Sequence, residues 1–168
     1  MSNDDVRLRE LSEEDIPLLA KYANNVKVSI NLRDGFPHPY TIDDAKKFVK
    51  MVKAQNPVTF FAIEYNGEYV GNISLSVGTD VYRKSAEIGY FIGEPFWNKG
   101  IVTKAVNLIV DFGFSHLDIV RIHTGIYEYN KPSQRVMEKC GFKKEGIFEK
   151  SICKNNRMFN EVRYAKLK

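Results

Sequence analysis

The run from Ala86 to Ala105, AEIGYFIGEPFWNKGIVTKA, constrains this chain more than any other stretch. It begins inside a β-rich segment, Ser85–Ile92, whose Ala86, Ile88, Tyr90 and Ile92 recur at the period of one strand face. Gly93 and Pro95 break that segment, and an apolar stripe at Val102, Ala105, Val106 and Ile109 then marks a helix opening near Gly100. A helix start leaves main-chain N–H groups without acceptors and carries partial positive charge, so it can hold a phosphate. Gly100 has no Cβ to keep such a ligand away, and Lys99 adds a mobile positive charge. The run reads as a pyrophosphate cradle, and it equally fits a plain strand–loop–helix connection containing a glycine.

The rest of the chain supplies a frame around this run. Val6–Leu11 alternates like a half-buried strand, and Ser12 with Asp15 resembles a capping box before a helix through Ile16, Leu18, Leu19 and Tyr22. Thr41 with Asp44 repeats that cap ahead of a helix over Ile42–Ala54. Thr59–Tyr65 and Glu68–Val77 are strands joined by Asn66-Gly67, which favours a tight hairpin. Val120–Tyr127 is a further strand, Pro132 suits a first helical turn, and Gly141 ends that helix. Lys143–Cys153 and Met158–Leu167 read as an antiparallel pair around Asn155-Asn156. This order predicts one α+β domain over residues 1–168, with seven strands in a mostly antiparallel sheet flanked by helices.

Composition narrows the function classes. With 43% hydrophobic and 27% charged residues the chain can bury a core, and it holds no apolar run long enough to span a membrane. No signal segment opens it, and Cys140 and Cys153 form neither a disulfide framework nor a metal-ligand cluster, so a cytoplasmic, metal-free protein is expected. The net charge of +4 would draw an anionic cofactor, but the basic residues are dispersed among acids and do not point to nucleic acid.

The run Trp97-Asn98-Lys99-Gly100-Ile101-Val102-Thr103 resembles the acetyl-CoA-binding motif of the GNAT superfamily, Arg/Gln-x-x-Gly-x-Gly/Ala, with Gly100 as its central glycine. Trp97 stands in place of the first Arg/Gln and Val102 in place of the last small residue. Asn130-Lys131-Pro132-Ser133 followed by Glu138-Lys139-Cys140-Gly141-Phe142 is similar to the family's N-x-x-S/A…E-K-x-G-F segment. The aromatic pair Phe96-Trp97 is similar to the RimJ/RimL-like branch, which acetylates protein N-termini; Asn98 stands where that branch often has glycine. The resemblance implies the GNAT fold, whose fourth and fifth strands run parallel and splay apart to admit the cofactor's pantetheine arm.

It also implies the reaction, direct transfer of acetyl from acetyl-CoA to an amine. Residues 98–103 and Trp97 would hold the cofactor, with main-chain groups of Phe91 and Ile92 and the side chains of Asn130 and Ser133 contributing. An α-amine titrates near 8 and a lysine-like amine near about 10.4, so a peptide N-terminus needs less help from a base. Glu87 is the first candidate base, and it also reads as a solvated strand residue; Glu128 and His123 are weaker candidates. Met137 replaces the tyrosine that many family members use to protonate the leaving thiolate; Ser133, similar to the serine of the RimL-like branch, is the alternative that would assist its departure. Ser133 would equally serve as a local cap. Asn31, Arg33, Asp34 and Tyr40, in the irregular stretch Asn24–Tyr40, would line the acceptor site, although Arg33 and Asp34 would also pair with each other. The acceptor would be a peptide or protein N-terminus. A small amine such as a polyamine, aminoglycoside or amino sugar is the alternative, as is a non-catalytic acyl-CoA-binding module. Exposed strand edges leave room for a homodimer.

Overall fold

Turn chemistry sets where the elements begin and end. The computed structural model describes residues 1–3 and 5–168. Its strands are β1 (Ser2–Asn3), β2 (Val6–Arg9), β3 (Phe60–Tyr65), β4 (Glu68–Val77), β5 (Ser85–Ile92), β6 (Arg121–Tyr127), β7 (Lys143–Lys154) and β8 (Arg157–Leu167). The helices are α1 (Ile16–Ala23), α2 (Val26–Ser29), α3 (Ile42–Lys53), α4 (Ile101–His116) and α5 (Lys131–Lys139). Both capping boxes form: Ser12 N–H donates to Asp15 at 2.8 Å, and Thr41 N–H donates to Asp44 at 2.9 Å. Asn66-Gly67 and Asn155-Asn156 each take two left-handed residues, the geometry of a two-residue hairpin. Seven of the strands match the expected set; β1 is a further two-residue strand paired with β2. The short α2 interrupts the stretch that periodicity left irregular, capped by Asn25, whose side chain accepts from Lys27 N–H at 2.9 Å.

The chain divides into two compact units, Met1–Ser74 with Tyr90–Ile109, and Leu75–Gly89 with Val110–Lys168. Strands β4 and β5 and helix α4 each run from one unit into the other. In the first unit β2, β3 and β4 pair antiparallel, and Gly93 N–H donates to the Val70 carbonyl at 2.9 Å, placing the end of β5 beside β4. Helices α1, α2 and α3 bury Leu19, Ala23, Val28, Ala45, Val49 and Val52 in a core with Tyr40, Tyr69 and Phe91. Burial at this level contributes about 1.5–3 kcal/mol for each large apolar side chain.

In the second unit β5 meets β6 in a parallel ladder, Ser85–Glu87 against Arg121–His123, and β6, β8 and β7 continue antiparallel. These parallel strands are the family's fourth and fifth. Ile88, Ile119, Ile122, Met137 and Tyr164 are fully buried there. Gly113 lets α4 close onto this sheet, since a Cβ would stand 2.6 Å from Leu75 Cδ1 and 3.3 Å from Ile122 Cδ1. The architecture is the predicted α+β one, a mixed, mostly antiparallel sheet flanked by helices.

One expectation about β5 is corrected. Ala86 and Ile88 are buried as the alternation requires, but Phe91 and Ile92 are then buried together and Tyr90 only half so. The Phe91 ring packs edge-on to Phe36 at 5.4 Å, and its carbonyl presses against β4 at Gly71, where a Cβ would lie 2.2 Å from that oxygen. Close packing outweighs the simple period of two at this point.

Candidate active site

The first unit holds residues 97–103, where the cradle is expected. After Ile92 the chain makes a single 3-10 turn, Glu94–Phe96, and Trp97 then returns: its indole Nε1 donates to the Ile92 carbonyl at 2.9 Å. Phe96 packs edge-on to Tyr22 at 5.4 Å, so the turn is anchored on α1. Asn98 (φ +61°) and Gly100 (φ +74°) are both left-handed and bracket Lys99. Asparagine is the side chain that best tolerates this conformation, which explains how Asn98 stands where a glycine is usual. All three residues are exposed, and a Cβ built on Gly100 meets nothing within 4 Å.

The first main-chain bond of α4 runs from Lys104 N–H to the Gly100 carbonyl at 3.2 Å. The amides ahead of it, those of Ile101 and Val102, precede the helix's own acceptors, which is the arrangement that takes an anionic oxygen. Ile101 is buried and fixes the helix start, while Val102 and Thr103 are half-buried. Lys99 lies over the Phe96 ring, with Nζ 5.4 Å from its centre, and Lys104 pairs with Asp5, whose carboxyl it holds below its usual range. Open space before a glycine, helix-start amides and a nearby lysine together fit a pyrophosphate. The Ile92 carbonyl is spent on Trp97, and the Phe91 carbonyl faces β4 at Gly71.

The predicted acceptor residues fall less neatly. Asn31 Nδ2 donates to the Lys27 carbonyl at 2.9 Å and ties off α2. Arg33 and Asp34 are exposed at the turn before Phe36. Tyr40 is buried, its N–H donates to Asn24 Oδ1 at 3.0 Å, and its ring packs on Phe36 at 4.9 Å. Burial and then the charge of Asp44 push its phenol up to about 12.

The second unit holds the candidate proton-handling groups. Glu87 is half-buried and stands opposite His123 in the parallel ladder. Burial lowers the His123 pKa, with Glu87 opposing that effect and Arg121 reinforcing it. Arg121 is itself paired to Glu145, Nη1 to Oε1 at 2.7 Å. Further along the same sheet Glu161 is buried against Gly125, where a Cβ would sit 1.9 Å from its Oε1, and it meets Arg163 Nε at 2.8 Å. A mid-strand glycine here seats a carboxylate, a feature that no periodicity in the sequence announces.

Asn130 caps α5, its Oδ1 accepting from Ser133 N–H at 3.3 Å. Ser133 sits half-buried in the first turn. Gln134, absent from the sequence-based candidates, lashes the preceding turn through donation to the Glu128 carbonyl at 3.1 Å. The Glu128 carboxylate accepts from Asn160 N–H at 2.8 Å and from Asn160 Nδ2 at 3.1 Å, which makes it a structural clasp. Met137 is fully buried in place of a tyrosine. Burial pushes the Cys140 thiol up to about 11, so it is not a nucleophile near neutrality.

The GNAT acetyltransferase domain family matches residues 5–143, across both units. The chain belongs to that family. It is 31% identical over 161 residues to the uncharacterized N-acetyltransferase YnaD of Bacillus subtilis (strain 168), covering 94% of this chain and 91% of YnaD. It is 28% identical over 160 residues to the spermidine N(1)-acetyltransferase of Escherichia coli (strain K12), covering 94% and 83%. Among solved structures, the microcin C7 self immunity acetyltransferase MccE, in complex with acetyl-CoA and AMP, superimposes with a TM-score of 0.84 at 28% identity, covering 99% of this chain and 94% of that one. This GNAT protein is therefore an acetyl-CoA-dependent N-acetyltransferase. No helix among the described residues is long and apolar enough to cross a membrane.

Proposed function

We propose that this GNAT enzyme acetylates the α-amine of a peptide or protein N-terminus. The observation that carries the cofactor half of this reading is the Asn98–Gly100 bend, two left-handed residues opening free space before the first amides of α4. These amides and Lys99 would hold the pyrophosphate of acetyl-CoA. For the acceptor half, the aromatic pair Phe96-Trp97 follows the N-terminal acetyltransferase branch. An α-amine is also the acceptor that needs the weakest base.

In this reading the neutral amine attacks the thioester carbonyl carbon. The tetrahedral oxyanion collapses, the C–S bond breaks, and the CoA thiolate leaves. Glu87 would take the amine's proton, directly or through a water, and the Ser133 hydroxyl would donate a hydrogen bond to the departing sulfur. Positioning the two reactants supplies much of the acceleration. The high Cys140 pKa favours direct transfer over an acetyl-enzyme.

A second reading, transfer to a polyamine, is favoured by the 28% identity to a protein named spermidine N(1)-acetyltransferase. CoA release with N-terminal peptides and with polyamines separates the two: turnover confined to peptides supports the first, and turnover confined to polyamines replaces it with the second. Ser133→Ala should lower kcat with little change in acetyl-CoA affinity; unchanged kcat removes Ser133 from the mechanism.

A further inference from the structure

Buried on β4 of the first unit is a polar side chain with one group to spare. Asn72 is only 6% exposed. Its Oδ1 accepts from the Tyr69 phenol at 3.0 Å, while its Nδ2 has no hydrogen-bond partner among the described residues. Residues three apart on a strand ordinarily face opposite ways. These two meet because the β3–β4 register shifts between Ile63 and Glu64: Gly71 opposes Ile63, Tyr69 opposes Glu64, and Val70 is the extra residue.

The bond from Gly93 to Val70 sets Asn72 opposite Phe91 on the neighbouring strand. Phe36 bridges the rings of Phe91 and Tyr40, at 5.4 and 4.9 Å, and is itself only half-buried. The unsatisfied donor thus belongs to an aromatic face at the end of β5, the strand that leads into the proposed cofactor cradle. Burial keeps the Tyr69 and Tyr40 phenols neutral. The charges acting on Tyr69, Asp15 and Arg9, are paired with each other at 2.7 Å. This face offers a donor to an uncharged oxygen; a further carboxylate acting on it, Asp44 beside Tyr40, is held in the Thr41 cap.

A buried donor left without an acceptor is costly, so it points to a ligand atom that completes it. We infer that Asn72 reads the acceptor: its Nδ2–H donates to the carbonyl oxygen next to the α-amine of a peptide N-terminus. The inference rests on the acetyl-transfer reading and sharpens its acceptor. A polyamine has methylene carbon beside its reacting amine and ammonium donors elsewhere at neutral pH, so it brings no oxygen to Nδ2.

The test compares alaninamide with isopropylamine, which lacks the carboxamide, as acceptors for the full-length enzyme and for Asn72→Leu and Asn72→Ser. The wild-type ratio of kcat/KM for the two amines should fall about tenfold or more in either variant, because one buried hydrogen bond is lost from one substrate only. Acetyl-CoA affinity and the melting temperature are followed alongside. A ratio that survives in a folded variant with wild-type acetyl-CoA affinity overturns the inference and leaves acetyl transfer standing. Preference of the wild type for spermidine over alaninamide also overturns it. Acetyl-CoA binding with no turnover of any amine removes the parent reading as well.

Discussion

The Trp97 indole donates to the main-chain carbonyl of Ile92 at 2.9 Å, closing the turn that carries the chain from β5 into α4. This one bond joins the strand end to the left-handed bend at Asn98–Gly100. Trp97→Phe keeps the ring but leaves the carbonyl unpaired, costing about 1 kcal/mol of stability. Because the bend loses its anchor, acetyl-CoA affinity should drop about tenfold by calorimetry. A full-affinity variant would show that the cradle does not depend on this bond.

Gly100 and Gly71 should respond to alanine for different reasons. At Gly100 a Cβ meets nothing within 4 Å, so Gly100→Ala pays only for φ +74°, about 1 kcal/mol. Gly100→Glu adds bulk and negative charge in the proposed phosphate site and should weaken acetyl-CoA binding sharply. At Gly71 a Cβ lies 2.2 Å from the Phe91 main-chain oxygen, which cannot move aside cheaply, so Gly71→Ala should cost about 3 kcal/mol. Chemical denaturation of the variants separates these costs.

Arg9 grips Asp15 with Nη1 and Nη2, at 2.8 and 2.7 Å, and also meets Glu64 at 2.6 Å through Nε. The Asp15 side chain is only 4% exposed. Burial alone would raise its carboxyl; Arg9 and the Ser12 N–H outweigh that and hold it below the ordinary value. Arg9→Met strands a buried carboxylate and should cost about 3 kcal/mol in urea titrations near pH 7. In the parent, this contribution is present above the carboxyl's ordinary 3.8 and is lost as the pH falls through the lower folded value. The parent and variant stabilities should therefore converge in acid.

His123 works in the opposite charge sense. Burial, the leading effect, lowers its pKa from the ordinary 6.5, so the unfolded chain binds its proton first as the pH falls. Stability should decline from about pH 6.5 down through the folded value and then level off. His123→Asn should flatten that part of a pH-stability curve. A parent curve without slope in this window would contradict the assignment of a half-buried neutral imidazole.

Local signals made much of this legible. The caps at Ser12–Asp15 and Thr41–Asp44 and the turns at Asn66-Gly67 and Asn155-Asn156 depend on neighbours in the chain, and they form where the residues imply. The loop from Gly93 to Gly100 was readable for the same reason. Asn72 was not: read by alternation it is one polar residue in a strand, and only the extra residue at Val70 turns it to Tyr69. Gly125 likewise looks like a gap in β6 until Glu161, distant in sequence, is laid across it.

By itself, then, the sequence determined the order of strands and helices, the GNAT motif at Gly100 and the first turn of α5 at Pro132, because each is written in dihedral preference, period or short-range hydrogen bonding. Only the tertiary structure decided which polar groups are stranded in the interior and which are clasped. Asn72 kept a spare donor while Glu128 was consumed by Asn160, since burial and partners are set by packing between segments far apart in the chain.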